Sequence, residues 1–386
     1  MRFVIDARPA LDPGRTGVGH YTDRLIRHLP TADPSGHYLA WYLHAKGLLE
    51  PRRFFPGTGI EERASPFPAR LFEPVASRLG FPRVEWLTGP FDALLATNFL
   101  PPATASRAVV MVVHDLAFER YPMTAPQIDA RWRRRFARWL RAAAAVIVPS
   151  SSTREDLLES SGIPEDRVHV VPHGIDTWSS PPSEDVEHIR RRFGIRSPYA
   201  LFLGGIEPRK NLRALLDAAV RVPGLTLVIA GGRVRWYPEA AAQLWTAAAA
   251  LGPGDRERAV LTGYVGEDDK RALLAGAALL AYPSLYEGFG FPVLEAMSAG
   301  VPVLTSDASS LPEVAGDAAL LVDPLDREAI ADGLRRLLGE EGLRSRLVAE
   351  GFERASRFTW AATAERTAEV LRGAAGAEGA SAQRER

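Results

Sequence analysis

The sequence predicts an α/β protein made of two doubly wound domains. Three observations support this. At 386 residues the chain is long for one hydrophobic core and comfortable for two. Short apolar runs alternate with segments of helical spacing, the pattern of parallel strands joined by crossover helices. The residues of chemical interest follow apolar runs directly, at strand carboxyl ends, where open α/β sheets place ligands.

Composition narrows the choice of function. Hydrophobic residues make up 46% and charged residues 24%, ordinary values for a soluble globular protein. Lys and Arg total 47, as do Asp and Glu, so no global field favours nucleic acid or anionic membrane. The absence of cysteine excludes a disulfide framework, thiolate chemistry and any zinc site that needs Cys. No run approaches the roughly 20 apolar residues of a membrane span. Residues 1–6 lead straight into a strand, so no signal peptide is expected and the cytoplasm is the expected location.

Taken in order, residues 2–7 (RFVIDA) read as a buried first strand ending in a carboxylate. A glycine loop over 13–21 (PGRTGVGHY) and an amphipathic helix over 21–29 complete a βα unit. No G-x-G-x-x-G is present, so Gly17 and Gly19 serve either a tight turn or close approach of backbone to a ligand. Residues 37–44 form the next strand, and 51–90 show no clear period. Strands follow over 91–96 and 108–113, the latter ending on His114-Asp115-Leu116. A lone histidine at a strand end is usually structural, although this is a ligand-rim position.

Residues 131–141 (RWRRRFARWLR) place Trp132, Phe136, Trp139 and Leu140 on one helical face, with arginines around the rest. The favoured reading is a helix docked on its own sheet; the other is a patch for lipid phosphates at a membrane surface. A strand over 142–149, a helix capped by Ser150 and a strand over 168–172 complete a first domain of residues 1–178.

Residues 181–184 (PPSE) mark a linker, and a short helix spans 189–193. The second domain, 179–357, takes strands over 199–203, 225–230, 259–262, 277–282, 301–305 and 319–322. A helix spans 212–220, and 327–352 carry helical spacing. Phe358-Thr359-Trp360 starts a final helix over 358–371. Residues 372–386, rich in Ala, Gly and charge, read as a disordered tail.

Residues 283–302 (PSLYEGFGFPVLEAMSAGVP) stand out. Gly288 to Pro292 are too glycine-rich for helix, and Pro292 suits a first helical position. Val293, Leu294, Ala296 and Met297 continue the helix, and Ala299-Gly300 caps it. Glu287 then lies on the loop at the helix mouth and Glu295 about one turn in. Amides near Gly290 and Phe291, at the helix start, favour an anion. Arg209 and Lys210 put two cations ahead of another helix, against its dipole, which points to an anionic partner. Such a set suits a ligand carrying both hydroxyls and phosphates.

Glu287-x7-Glu295 within EGFGFPVLEAMSAGVPV resembles the signature of family 4 retaining glycosyltransferases. The HDL step at His114, the V-P-x-G-I-D step at 171–176, the G-x-G-x-Y loop at 17–21 and the F-T-W step at 358–360 also resemble that family. The resemblance covers nearly the whole chain and is most specific from Gly204 to Pro302. It implies the GT-B fold: two Rossmann-like domains facing a central cleft, with a C-terminal helix crossing back to the first.

The resemblance further implies a nucleotide-sugar donor. Lys210 would meet its diphosphate, Glu295 its ribose hydroxyls and Glu287 its sugar. Gly204, Gly205, Gly288, Phe289, Gly290 and Phe291 would line the donor, with Tyr264 near the base. Gly17 and Gly19 would lie near the acceptor, and His114, steadied by Asp115, near the sugar. The common pattern has an arginine where this chain has Gly205, and Arg209 is expected to replace it. Glu287, His114, Lys210 and Arg209 form the expected catalytic group.

The Glu207-Pro208-Arg209-Lys210-Asn211 form is a variant common among mannosyltransferases that act on polysaccharide. It leans towards GDP-mannose, with UDP-sugars open, and towards a glycan, lipid-linked or small-molecule acceptor. No metal is expected, since Arg209, Lys210 and the helix dipole would do its work. A nucleic-acid partner is not expected, because the basic patch is one short helix. Two other readings stay open: a sugar-nucleotide epimerase of the same fold, and a sugar-nucleotide-binding protein without catalysis.

Overall fold

Apolar runs of three to seven residues become the strands of two separate parallel sheets. The computed structural model describes residues 1–11, 17–44, 53–68, 75, 80–122, 128–232 and 237–384. The expectations for 13–16, part of 51–90 and the last two residues of the tail lie outside them.

One unit comprises Met1–Leu116, Ile128–Gly174 and Phe358–Arg386. Its strands are β1 (Arg2–Asp6), β2 (His37–Leu43), β3 (Glu61–Ser65), β4 (Ala93–Ala96), β5 (Val109–Val112), β6 (Ala145–Val148) and β7 (Val168–Val170). They pair in parallel in the order β3-β2-β1-β4-β5-β6-β7. Phe3, Val4, Ile5, Leu94, Leu95, Val110, Met111, Val146 and Ile147 are wholly buried, as strands covered on both faces must be.

The sequence did not reveal β3. Its residues, EERAS, show no alternation because it is an edge strand paired only with β2. Trp41 Nε1 ties the edge down by donating to Ser65 Oγ at 2.9 Å.

The first long helix, Gly17–Ala32, begins four residues before its predicted start at Tyr21. Gly17 and Gly19 therefore sit in its first turn and not in a loop. A Cβ on Gly19 would lie 2.7 Å from the Pro9 carbonyl oxygen, so this glycine serves a close approach within its own unit.

The last helix, Trp360–Arg384, belongs to the same unit and packs on Gly17–Ala32. Ala364, Ala368, Leu371 and Ala374 are buried at helical spacing, with Thr363 and Thr367 beside them. Gly174 lets the helix start approach closely: a Cβ there would lie 2.3 Å from the Trp360 amide nitrogen.

The tail expected to be disordered is helix through Arg384. Ala, Glu, Gln and Arg are strong helix formers, so this composition extends a helix that already has a surface to lie on. Arg372 pairs with Asp33 at 2.8 Å. Glu378 accepts from the amides of Arg107 at 3.0 Å and Ala108 at 2.8 Å and from Ser106 Oγ at 3.2 Å, just before β5.

The other unit comprises Ala117–Gln127 and Ile175–Arg357. Its strands are β8 (Tyr199–Leu203), β9 (Thr226–Ala230), β10 (Ala259–Gly263), β11 (Leu279–Tyr282), β12 (Val303–Ser306) and β13 (Leu320–Val322). The parallel order is β10-β9-β8-β11-β12-β13, reversing direction of travel between β8 and β11. Such a reversal opens a crevice at the strand carboxyl ends.

The predicted linker runs directly into a helix, Ser183–Phe193, with Glu184 and Asp185 favouring its first turn. The segment 327–352 is two helices, Arg327–Gly339 and Glu341–Ser356, separated at Glu340.

The Glu378 carboxylate makes a testable clasp. Glu378→Ala should cost about 1.5–3 kcal/mol, the usual range for hydrogen bonds to a charged group. Calorimetry should show a lower melting transition, and truncation after Leu371 should lower it further. An unchanged transition in both variants would mean that the tail adds nothing to the unit.

Candidate functional site

The loops after β8 and β11 meet at the reversal of strand order. Gly204 has φ 144°, a conformation open to glycine, and a Cβ on Gly231 would lie 1.7 Å from the Gly204 carbonyl oxygen. These two glycines let the ends of β8 and β9 converge. Pro208 opens a single 3-10 turn, Pro208–Lys210, and Asn211 ends it at φ 58°, a left-handed conformation that Asn tolerates. Asn211 Nδ2 donates to the carbonyls of Pro283 at 3.1 Å and Pro324 at 2.6 Å. The Leu285 amide donates to the Arg209 carbonyl at 2.7 Å. The E-P-R-K-N segment is thereby knitted to the loop that carries Glu287.

Glu287 holds a cation on each oxygen. Lys210 Nζ lies 2.5 Å from Oε1, and Arg209 Nη1 lies 2.8 Å from Oε2. Both Lys210 and Glu287 are only 6% exposed. Arg209 also donates from Nε to Glu207 Oε2 at 2.8 Å and from Nη1 to the Tyr286 carbonyl at 2.9 Å. Lys210 Nζ donates a further bond to Tyr282 Oη at 2.6 Å.

The loop fixes the Glu287 backbone as well. Its amide donates to Ser309 Oγ at 2.9 Å, and Ser310 Oγ donates to the carbonyls of Glu287 at 2.8 Å and Phe289 at 2.9 Å.

Burial alone would raise the Glu287 carboxyl. The charges of Lys210 and Arg209 overcome it and hold the group at about 2. Burial, reinforced by the Arg209 charge, presses the Lys210 ammonium downward against the pull of Glu287. The Tyr282 phenol is pushed well up, first by burial and then by Glu287. Glu287 is therefore an acceptor and counter-ion at neutral pH, not a proton donor.

The helix after Glu287 runs Phe291–Ser298, so Pro292 is its second residue and Gly290 its N-cap. Gly290 has φ 115° and offers no side chain to cap the first turn, whose amides face an anion-favouring position. Glu295 does not join Glu287; it pairs with Lys270 at 3.0 Å. Tyr264, just past β10, is 75% exposed and packs near Gly232. Gly204 lies against Lys210, its notional Cβ 4.0 Å from the Lys210 Cε. Gly205, Gly288 and Phe289 lie in the same two loops. Among the described residues, no group of three or more His, Asp and Glu is placed to hold a metal ion.

His114 and the glycines of the first helix lie in the other unit. His114 Nε2 lies 2.9 Å from the Thr97 carbonyl and Nδ1 lies 3.3 Å from His173 Nε2. The carbonyl can only accept, so Nε2 carries the proton and Nδ1 accepts from His173. Tyr21 packs edge-on against His114 with ring centroids 5.0 Å apart. Burial lowers both imidazoles, His173 the more.

Sequence reasoning found Arg209, Lys210 and Glu287 but missed Glu207, Tyr282, Ser309, Ser310 and Lys270. Glu207 stood inside the motif, where its acid could have been read as an anchor for Arg209. The others carry no local pattern.

Comparison with known proteins identifies the family. Residues 15–179 match the model of Glycosyltransferase Family 4, and residues 185–354 match that of Glycosyl transferases group 1. The O-antigen chain mannosyltransferase B of Escherichia coli is 33% identical over 272 residues, 68% of this chain and 69% of that one. The serotype-specific mannosyltransferase WbdA of Escherichia coli is 31% identical over 267 residues; the match spans 66% of this chain but only 32% of WbdA. Among solved structures, sucrose-phosphate synthase from Thermosynechococcus elongatus aligns with TM-score 0.76 at 18% identity, covering 97% of this chain and 99% of that one. HepE from Anabaena, in complex with UDP and glucose, aligns with TM-score 0.71 at 18% identity, covering 97% and 100%. The two parallel α/β sheets are those of the GT-B fold. With both family models matched in series and this level of identity to a relative along most of its length, the chain belongs to glycosyltransferase family 4.

Proposed function

We propose that this glycosyltransferase is a retaining hexosyltransferase that moves mannose from a nucleotide diphosphate donor, GDP-mannose foremost, to a glycan hydroxyl. We further propose that it works without a divalent metal. The Lys210–Glu287–Arg209 cluster carries the reading. Two cations sit in a low-dielectric crevice at the reversal of strand order, beside the uncapped start of Phe291–Ser298. A leaving diphosphate develops negative charge there, and fixed cations and amides stabilise it without reorganising. The donor competes with Glu287 for Lys210 and Arg209, and the released carboxylate accepts hydroxyls of the sugar.

In the proposed step, the bond between the sugar anomeric carbon and the β-phosphate oxygen breaks. The acceptor hydroxyl oxygen bonds the same carbon from the same face, and its proton passes to the leaving phosphate. Nucleoside diphosphate departs and the anomeric configuration is retained. With a cation on each oxygen, Glu287 suits an electrostatic role better than a covalent one. Mannose is favoured by the E-P-R-K-N segment and by the names of the relatives from Escherichia coli.

The acceptor class extends to lipid-linked glycans and brings the enzyme to the cytoplasmic face of a membrane. No described helix is long and apolar enough to cross one. The helix Ala130–Ala142 buries Phe136 and Leu140, while Arg131, Arg134, Arg138 and Arg141 are exposed on one stripe. Those four side chains form no ion pair among the described residues. With the apolar face already used in packing, the contact rests on charge and is sensitive to salt.

Release of nucleoside diphosphate from a panel of GDP- and UDP-sugars, with mannan oligosaccharides as acceptors, should be fastest with GDP-mannose and indifferent to EDTA. Turnover of a different sugar would reassign the donor, and loss in EDTA would remove the metal-free role of Arg209 and Lys210.

Glu287→Gln should lower turnover by about 10²–10³-fold, comparable to losing one preorganised electrostatic group. It should also cost about 3–5 kcal/mol at neutral pH, since it leaves the buried Lys210 without its counter-ion and Arg209 with Glu207 alone. The folded pKa of Glu287, about 2, lies below its ordinary value of 4.5. Its contribution is therefore complete above pH 4.5 and lost as pH falls towards 2. The stability gap between wild type and variant, measured by denaturant unfolding, should narrow over that window; a gap independent of pH would contradict the ion pair.

Vesicles with anionic lipid should bind the protein at low salt and release it at high salt or on Arg134→Glu with Arg138→Glu. Absence of binding at low salt would withdraw the membrane contact.

A further inference from the structure

Glu295 is held by a residue that no motif marks. Lys270 lies on the helix Glu267–Ala275, which leaves the end of β10, whereas Glu295 lies on Phe291–Ser298, which leaves the end of β11. Lys270 Nζ is 3.0 Å from Glu295 Oε1, and the two side chains are only 18% and 17% exposed. Glu267 Oε2 also lies 3.0 Å from the ammonium but is 67% exposed. Lys270 and Arg271 lie over the Trp178 ring, with Lys270 Nζ 5.8 Å from its centroid and Arg271 Cζ at 5.4 Å. Burial would lower the Lys270 ammonium, but Glu295 and Glu267 raise it, so it remains a cation.

One oxygen of Glu295 is thus engaged and the other is not. Among the described residues Oε2 takes no hydrogen bond, and it is not sealed from solvent. A carboxylate pinned at one oxygen and open at the other presents fixed lone pairs to two adjacent hydroxyls.

We infer that Lys270 is a positioning residue for recognition of a vicinal diol, that of the donor ribose, by Glu295. The inference rests on the nucleotide-sugar reading above. Lys270 sets the rotation of the carboxylate, Trp178 restrains the Lys270 stem, and the ribose hydroxyls meet Oε2.

The test compares binding of GDP and 2′,3′-dideoxy-GDP, and of UDP and its dideoxy counterpart, by calorimetry, with no acceptor or turnover involved. Wild type should prefer the ribose form by at least about tenfold, the worth of a hydrogen bond to a charged acceptor. Lys270→Met should bring that preference close to one while the fold is kept. Lys270→Arg should restore most of it, and Glu267→Gln should leave it unchanged. Lys270→Leu is the second removal variant if Lys270→Met does not fold, and is judged identically. A folded removal variant with the wild-type preference overturns the inference and makes the pair a strut between two crossover helices. Failure of wild type to bind either nucleotide overturns the nucleotide-sugar reading itself, and is distinguished because it appears before any substitution.

Discussion

A carboxylate buried between an ammonium and a guanidinium organises the second unit. Glu287 stays ionised because Lys210 and Arg209 more than offset the cost of burial, and the two cations tolerate burial because Glu287 is there. The interaction also sets backbone geometry. Arg209 must leave β8 by a turn short enough to reach across to the β11 loop, which Pro208 and Asn211 provide. Glu287 must stand at the end of a loop whose backbone is already satisfied by Ser309 and Ser310. The resting site is electrically balanced, with Glu207 and Glu287 facing Arg209 and Lys210.

Glycine acts here through space more than through flexibility. Gly231 admits the Gly204 carbonyl, Gly290 admits Leu311 and Gly19 admits Pro9. At Gly231 and Gly19 a β-carbon would meet backbone, whereas at Gly290 it would meet the tip of the Leu311 side chain. The close approach of the β8 and β9 ends depends on Gly231 and Gly204.

Much of this was legible in the residues. The buried strands are continuous apolar runs, and parallel sheets need no alternation to be recognised. Arg209 and Lys210 stood out as cations placed against a helix dipole, and Glu287 by its spacing to Glu295 at a glycine-rich helix mouth. Their mutual pairing was not legible, since it joins residues 77 and 78 positions apart through tertiary structure. The edge strand Glu61–Ser65 was hidden because its stability comes from one neighbour and not from its own pattern. The tail was misread for a related reason: low hydrophobicity suggests disorder, yet Ala374 is buried and Glu378 finds partners at Ser106, Arg107 and Ala108, far earlier in the chain. Lys270 lies in an acidic helix start that looks like any solvated turn.

The placement of Trp360–Arg384 bears on synthesis. The sheet of the first unit is complete in sequence by Val170, yet the helix that covers Gly17–Ala32 follows the second unit in the chain. Chain elongation must add nearly all of the second unit, through Arg357, before that cover becomes available. Until then His20 and Tyr21 lack the Trp360 ring that they pack against in the finished protein. On the ribosome the second unit can therefore mature first although it is second in sequence. Emergence of Trp360–Arg384, and not of the strands of the first unit, is the event that completes that packing.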